Sequence, residues 1–216
     1  FGNDFSLKAT PTTGFVASMP DIVRARVRAS FENDVWTHRF AAYSDQSICQ
    51  RSSGKKDGGD GSHVVVTIHG GGVLSSMERV MDAFKMDGAS LTGQYAARLS
   101  EKECDDLLRD GMLPDGSKLD TLFRSYSEFA NSSGFPSRYG VVMDFDVAKS
   151  SKRGYVPVED LREDPWFAVS VGSRSLASEY LDKIAKRSST VGNWPPFDQI
   201  FWNDRQSRIL FLDTDG

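Results

Sequence analysis

The stretch that most limits what this chain can become is a β-branched run, Val64, Val65, Val66, Thr67 and Ile68, that ends on His69 and three consecutive glycines. Five such residues in a row, with no polar alternation, fit a strand buried on both faces. Downstream, Ser75 or Ser76 can cap a helix whose apolar side is Val80, Met81 and Phe84. A strand, a glycine loop and a helix start bring bare backbone N–H groups and a positive helix end up to an anion. The pattern therefore predicts a site for an anionic, phosphate-bearing, nucleotide-like small molecule at Gly70, Gly71, Gly72, Ser75 and Ser76. His69 would carry a proton there, because an ordinary imidazole titrates near pH 6.5. The main expectation is an α/β enzyme of hydrolase or transferase type, or a ligand-binding domain.

Composition narrows the other classes. Of 216 residues, 39% are hydrophobic and 26% charged, which suits a globular core with a solvated surface. The net charge of −4 gives no footprint for nucleic acid, although Arg24, Arg26 and Arg28, or Lys149, Lys152 and Arg153, could form local basic patches. No apolar run approaches the length of a membrane span. Two cysteines, Cys49 and Cys104, are too few for a disulfide framework or a thiolate metal cluster, and they could form one bridge or stay as two thiols. The chain starts on Phe1 and reads as a trimmed piece, so the sequence leaves its compartment open.

Taken in order, residues 1–20 read as an extended lead-in and 51–62, with four glycines, as a flexible loop within a single domain spanning 1–216. Residues 22–31 alternate arginine with apolar or small side chains, which predicts a half-exposed strand. Residues 35–43 follow as its hairpin partner, an antiparallel edge. Further strands are expected at 139–145, 166–171, 199–202 and 209–212, and helices at 91–109, 119–130 and 176–186. Ser100 and Glu103 supply a capping box, Gly111 a stop, and 158–163 is a short helix at most. Strands alternating with helices predict an α/β, possibly α+β, fold with a mixed sheet flanked by helices.

Three local likenesses bear on chemistry. His69-Gly70-Gly71-Gly72 resembles the HGGG oxyanion loop of α/β-hydrolase lipases and esterases. That resemblance implies backbone donors to a tetrahedral intermediate. However, all three histidines, His38, His63 and His69, lie upstream of any serine elbow, so the order Ser, acid, His is not met. Gly70-Gly71-Gly72-Val73 is similar to the glycine turn of macrodomains, with Gly172 and Ser173 as its later glycine loop. Ile209 to Gly216 resembles the first motif of haloacid-dehalogenase-type phosphatases, which implies Asp213 as nucleophile, yet the domain that fold needs would have to follow Gly216.

Two further groups are candidates. Asp144 and Asp146, and Asp213 and Asp215, each fall two apart on an extended chain and so share a face. Were their strands parallel neighbours, Asp144 and Asp213 could share Mg²⁺ or Mn²⁺, with Asp144 and Asp146 as catalytic carboxylates for phosphoryl transfer. Trp194, Phe197, Phe201 and Trp202, near prolines, could line a groove. The alternative to any enzyme is a noncatalytic interaction domain, in which the glycines only make a turn and the aromatic C-terminal region meets a protein partner.

Overall fold

The computed structural model describes residues 17–38, 40–50, 63–72, 96–195 and 208–214. The chain begins with helix α1 (Met19–Arg28), and this replaces the expected edge hairpin. Its buried residues are Met19, Pro20, Ile22, Val23 and Arg26, of which Met19, Ile22, Val23 and Arg26 fall at i, i+3, i+4, i+7, a helical stripe. The period-two alternation shares only Val23 with this stripe and would turn Arg26 outward, whereas the helix buries it, and the N-terminal signal decides between them. Ser18 is the N-cap, Pro20 sits in the first turn, and the Asp21 carboxylate accepts from the Ser18 backbone N–H at 3.1 Å. Residues 35–43 split into a single turn, α2 (Asp34–Thr37), and the start of β1 (Phe40–Gln50).

The buried run forms β2 (His63–His69) as expected, pairing antiparallel with β1. β3 (Ala96–Arg98) precedes α3 (Glu101–Asp110), which has the Ser100–Glu103 capping box and a left-handed Gly111 at its C-terminus. The single helix expected at 119–130 divides into β4 (Thr121–Phe123) and the short α4 (Tyr126–Ala130), capped by Ser125. β5 (Tyr139–Asp144) follows and leads directly into α5 (Phe145–Lys149). Then come β6 (Gly154–Pro157), a 3-10 turn (Val158–Leu161), α6 (Pro165–Val171), α7 (Arg174–Ala185), β7 (Thr190–Asn193) and β8 (Arg208–Thr214).

α6 corrects a strand expectation. Trp166 through Val171 are all buried, so the segment has no polar face from which a period could be read. Its ends carry the information instead. Asp164 accepts from the Phe167 N–H at 2.8 Å, Pro165 opens the first turn, and Gly172 closes the helix at φ +113°.

The main sheet runs β3-β8-β1-β2-β5-β4, antiparallel except for the parallel β4–β5 pair, and β6 and β7 form a separate two-stranded ribbon. The expected α/β or α+β class with a mixed sheet and flanking helices therefore holds. The strand that follows the N-terminal helices is central, with β8 on one side and β2 on the other. Both faces of the sheet are covered. Ile48, Val65, Val141 and Met143 meet α1, α6 and α7 in one core, which includes Ile22, Val169 and Leu181. Cys49, Val64, Val66, Ile68 and Val142 meet Cys104 and Leu107 of α3 in the other. Double coverage explains why β2 is apolar without alternation. Each such fully buried Val or Ile contributes about 1.5–3 kcal/mol over leaving it exposed.

Candidate functional site

The structure sets His69 inside the core, with the glycines that follow it against β1. His69 ends β2 and is 0% exposed. Its Nε2–H donates to the Val169 carbonyl of α6 at 2.8 Å, since a carbonyl can only accept. Nδ1 is then the bare nitrogen and accepts from Ser44 Oγ at 2.9 Å, while Ser44 Oγ accepts the Met19 N–H at 2.9 Å. One imidazole thus ties β1, β2, α6 and the first turn of α1 with no capacity left over. Burial holds its pKa down to about 4, so the ring is neutral through the physiological range. The proton carrier expected from sequence is a satisfied core histidine.

The glycine loop does not offer its donors either. The N–H groups of Gly70 and Gly71 both donate to the Tyr43 carbonyl, at 3.1 and 3.2 Å. A methyl on Gly70 would stand 1.8 Å from the Ser137 carbonyl oxygen, and one on Gly72 would stand 2.0 Å from the Asp45 carboxylate. Close approach of neighbouring chain therefore accounts for two glycines of the triplet. The Asp45 side chain is 1% exposed beside Gly72, and a buried carboxylate there opposes a phosphate electrostatically. Ser75 and Ser76 lie outside the described residues.

Gly172 reaches the His69 neighbourhood through Tyr139, again as packing. The Tyr139 hydroxyl donates to the Gly172 carbonyl at 2.6 Å, and its ring lies 5.0 Å from the imidazole. A methyl on Gly172 would meet Pro20 at 2.3 Å. Ser173 caps α7 by accepting from the Leu176 N–H at 3.1 Å.

Asp144 and Asp213 separate for a topological reason, and Asp215 lies outside the described residues. Asp144 caps α5 and Asp146 lies inside that helix, so the two do not share a strand face. Asp144 sits opposite Val64, which pairs with Cys49 on β1. Asp213 sits opposite Ala41, at the other end of β1. Two strands, β1 and β2, lie between β8 and β5. Their backbones are thus about 14 Å apart across the sheet even before the offset along it, counted at roughly 4.8 Å per strand. A shared Mg²⁺ or Mn²⁺, which needs oxygens within about 2.0–2.6 Å, is excluded at Asp144 and Asp213. Among the described residues, no group of three or more His, Cys, Asp or Glu side chains is placed to hold a metal ion.

A feature that the sequence marks only weakly is at the surface of the β6–β7 ribbon. Tyr155 is 79% exposed and Trp194 47%, and their rings meet edge to face at 6.1 Å. The Arg153 guanidinium lies 5.7 Å above the indole. Tyr155 pairs in register with Gly192, and the indole Nε1 lies 3.2 Å from where a Gly192 side chain would begin. The glycine leaves room for the indole edge beside the ribbon. Beneath, the Asn193 amide donates to Ser151 Oγ at 3.1 Å and to the Lys152 carbonyl at 2.6 Å, and Val156 is buried in the larger core. The ribbon is anchored from below and aromatic on top. Its sequence signal is the Tyr155-Val156 alternation and the Gly192-Asn193-Trp194 run. Phe197, Phe201 and Trp202 of the expected patch lie outside the described residues.

No family model and no curated protein matches this chain. Among solved structures it is similar to one described as the accommodation of massive sequence variation in Nanoarchaeota by the C-type lectin fold. The TM-score is 0.61 and the identity 21%, over 93% of this chain and 77% of that one. The protein therefore has the C-type lectin fold. This finding overturns the phosphate-binding α/β enzyme, and with it the hydrolase and nucleotide-ligand expectations, in agreement with the spent donors of the glycine loop. Among the described residues, no helix is long and apolar enough to cross a membrane.

Proposed function

We propose that this chain is a noncatalytic interaction domain that meets a protein partner through the Tyr155–Trp194–Arg153 face of the β6–β7 ribbon. The observation that carries the reading is that two large aromatic rings and a guanidinium are preassembled on the surface of an anchored ribbon. Trp, Tyr and Arg are the residue types that dominate binding energy at protein interfaces, and rings held in place before contact lose little entropy on binding. The neighbour's description, a fold that accommodates massive sequence variation, supports a scaffold whose core is specified apart from its surface.

The test is selection of randomised peptides displayed on phage against the chain, followed by affinity measurement on a Tyr155→Ala, Trp194→Ala double variant. Selected peptides should bind the parent and weaken by about 30-fold or more on the variant, the effect of losing a hot spot worth ~2 kcal/mol. Peptides that bind both proteins equally, or a selection that yields none, would sink the reading.

A further inference from the structure

The smaller core holds a feature that the interaction face does not use. Cys49, the penultimate residue of β1, and Cys104, in the first turn of α3, are 0% and 1% exposed and belong to the same apolar cluster as Val64, Ile68 and Leu107. Both are in the thiol form. α3 packs against β1 there, so the two cysteines meet one cluster from the two sides of a single strand–helix interface, and the Cys104 thiol is the neighbour that most perturbs the Cys49 thiol. The neighbouring Cys104 thiol and burial push Cys49 well above the ordinary thiol range, which keeps that thiol protonated and unreactive while α3 is seated.

We propose that Cys49 and Cys104 are a latent disulfide that covalently clamps α3 to β1 when the chain meets a disulfide oxidant. The route is through α3. Its outer side is solvated at Glu101 and Lys102, and helix ends open locally more readily than strands at the centre of a sheet. Opening exposes Cys104, whose thiolate attacks one sulfur of a small-molecule disulfide. A mixed disulfide forms and one thiol leaves. Before α3 recloses, Cys49, uncovered with it, attacks the Cys104 sulfur as thiolate and expels the second thiol. Two protein thiols are oxidised by two electrons in total, and one small-molecule disulfide is reduced to two thiols that take up the two protons. The bridge joins positions 49 and 104 and so closes every intervening residue, β2 and β3 included, into one covalent loop.

The experiment incubates the whole chain with glutathione disulfide, alkylates remaining thiols after unfolding, and maps peptides without reduction. The expected result is a Cys49–Cys104 linked peptide in a monomer lacking two hydrogens, with Tm raised by about 5 °C or more. Cys49→Ala and Cys104→Ala should show neither change on the same treatment. Stable glutathione adducts on both cysteines, full alkylation of both thiols, or a disulfide between two molecules would overturn the pairing. A linked peptide with an unchanged Tm would overturn the clamp. The parent protein alone decides the first question, so poor folding of either alanine variant does not blunt the test.

Discussion

At His69 a single side chain is asked to satisfy two partners far apart in the sequence, Ser44 through Nδ1 and Val169 through Nε2. With its pKa depressed from the ordinary 6.5 to about 4, the folded protein refuses a proton that the unfolded chain accepts between those values. Stability from this group is complete above pH 6.5, falls as the pH drops toward 4, and amounts to about 3 kcal/mol over the window. Urea unfolding at a series of pH values should show a slope of one proton there, and His69→Gln should lose that slope. A slope that survives the substitution would assign it to other groups. The glycines give a second prediction at this scale. Gly72→Ala drives a methyl into the Asp45 carboxylate and should cost about 2 kcal/mol or more, read as a lower urea midpoint. The sequence shows a histidine before three glycines, which is also how a catalytic loop begins. It cannot show that Tyr43 takes two of the N–H groups, or that Val169 lies 100 residues downstream at the imidazole, because those partners come from tertiary packing.

Among the elements, those with explicit end signals were legible. The run of Val64 to Ile68 is a strand, and α3 begins and ends where Ser100, Glu103 and Gly111 say it should. Ser100 accepts from the Glu103 N–H at 3.3 Å while the Glu103 carboxylate accepts the Ser100 N–H at 2.7 Å. Ser100→Ala should therefore cost about 1 kcal/mol, a fall in Tm of roughly 2–4 °C at this size. An unchanged melt would mean that tertiary packing holds the first turn without its cap. α1 and α6 were misread for opposite reasons. In α1 the arginines at 24, 26 and 28 mimic a period of two across a helical stripe, and in α6 burial on every side erases the period altogether. In both, a capping acid and a proline in the first turn mark the helix start, Ser18-Met19-Pro20-Asp21 and Asp164-Pro165. β4 is three residues long, too short for its apolar spacing to separate strand from helix.

For the molecule as a whole, the decisive fact is sheet order, which no local pattern encodes. The order puts β1 and β2 in the middle, buries both faces, and sets Asp144 and Asp213 at opposite ends, so the metal site conceivable from sequence has no place to form. Native-state hydrogen exchange should be slowest at the paired amides of β1, β2 and β5, and faster in β6 and β7, whose ladder is two strands wide. Equal protection in the ribbon and the central strands would show that they open as one unit. The ribbon's independence from the main ladder has a consequence for how such a chain can change over generations. Tyr155 and Trp194 take no part in the six-stranded sheet, while Asn193 and Val156 fasten the ribbon from below. Substitutions of the exposed rings and substitutions that threaten folding thus strike different residues. On the proposed reading, a lineage can explore new partners at the ribbon without gambling the scaffold that carries it.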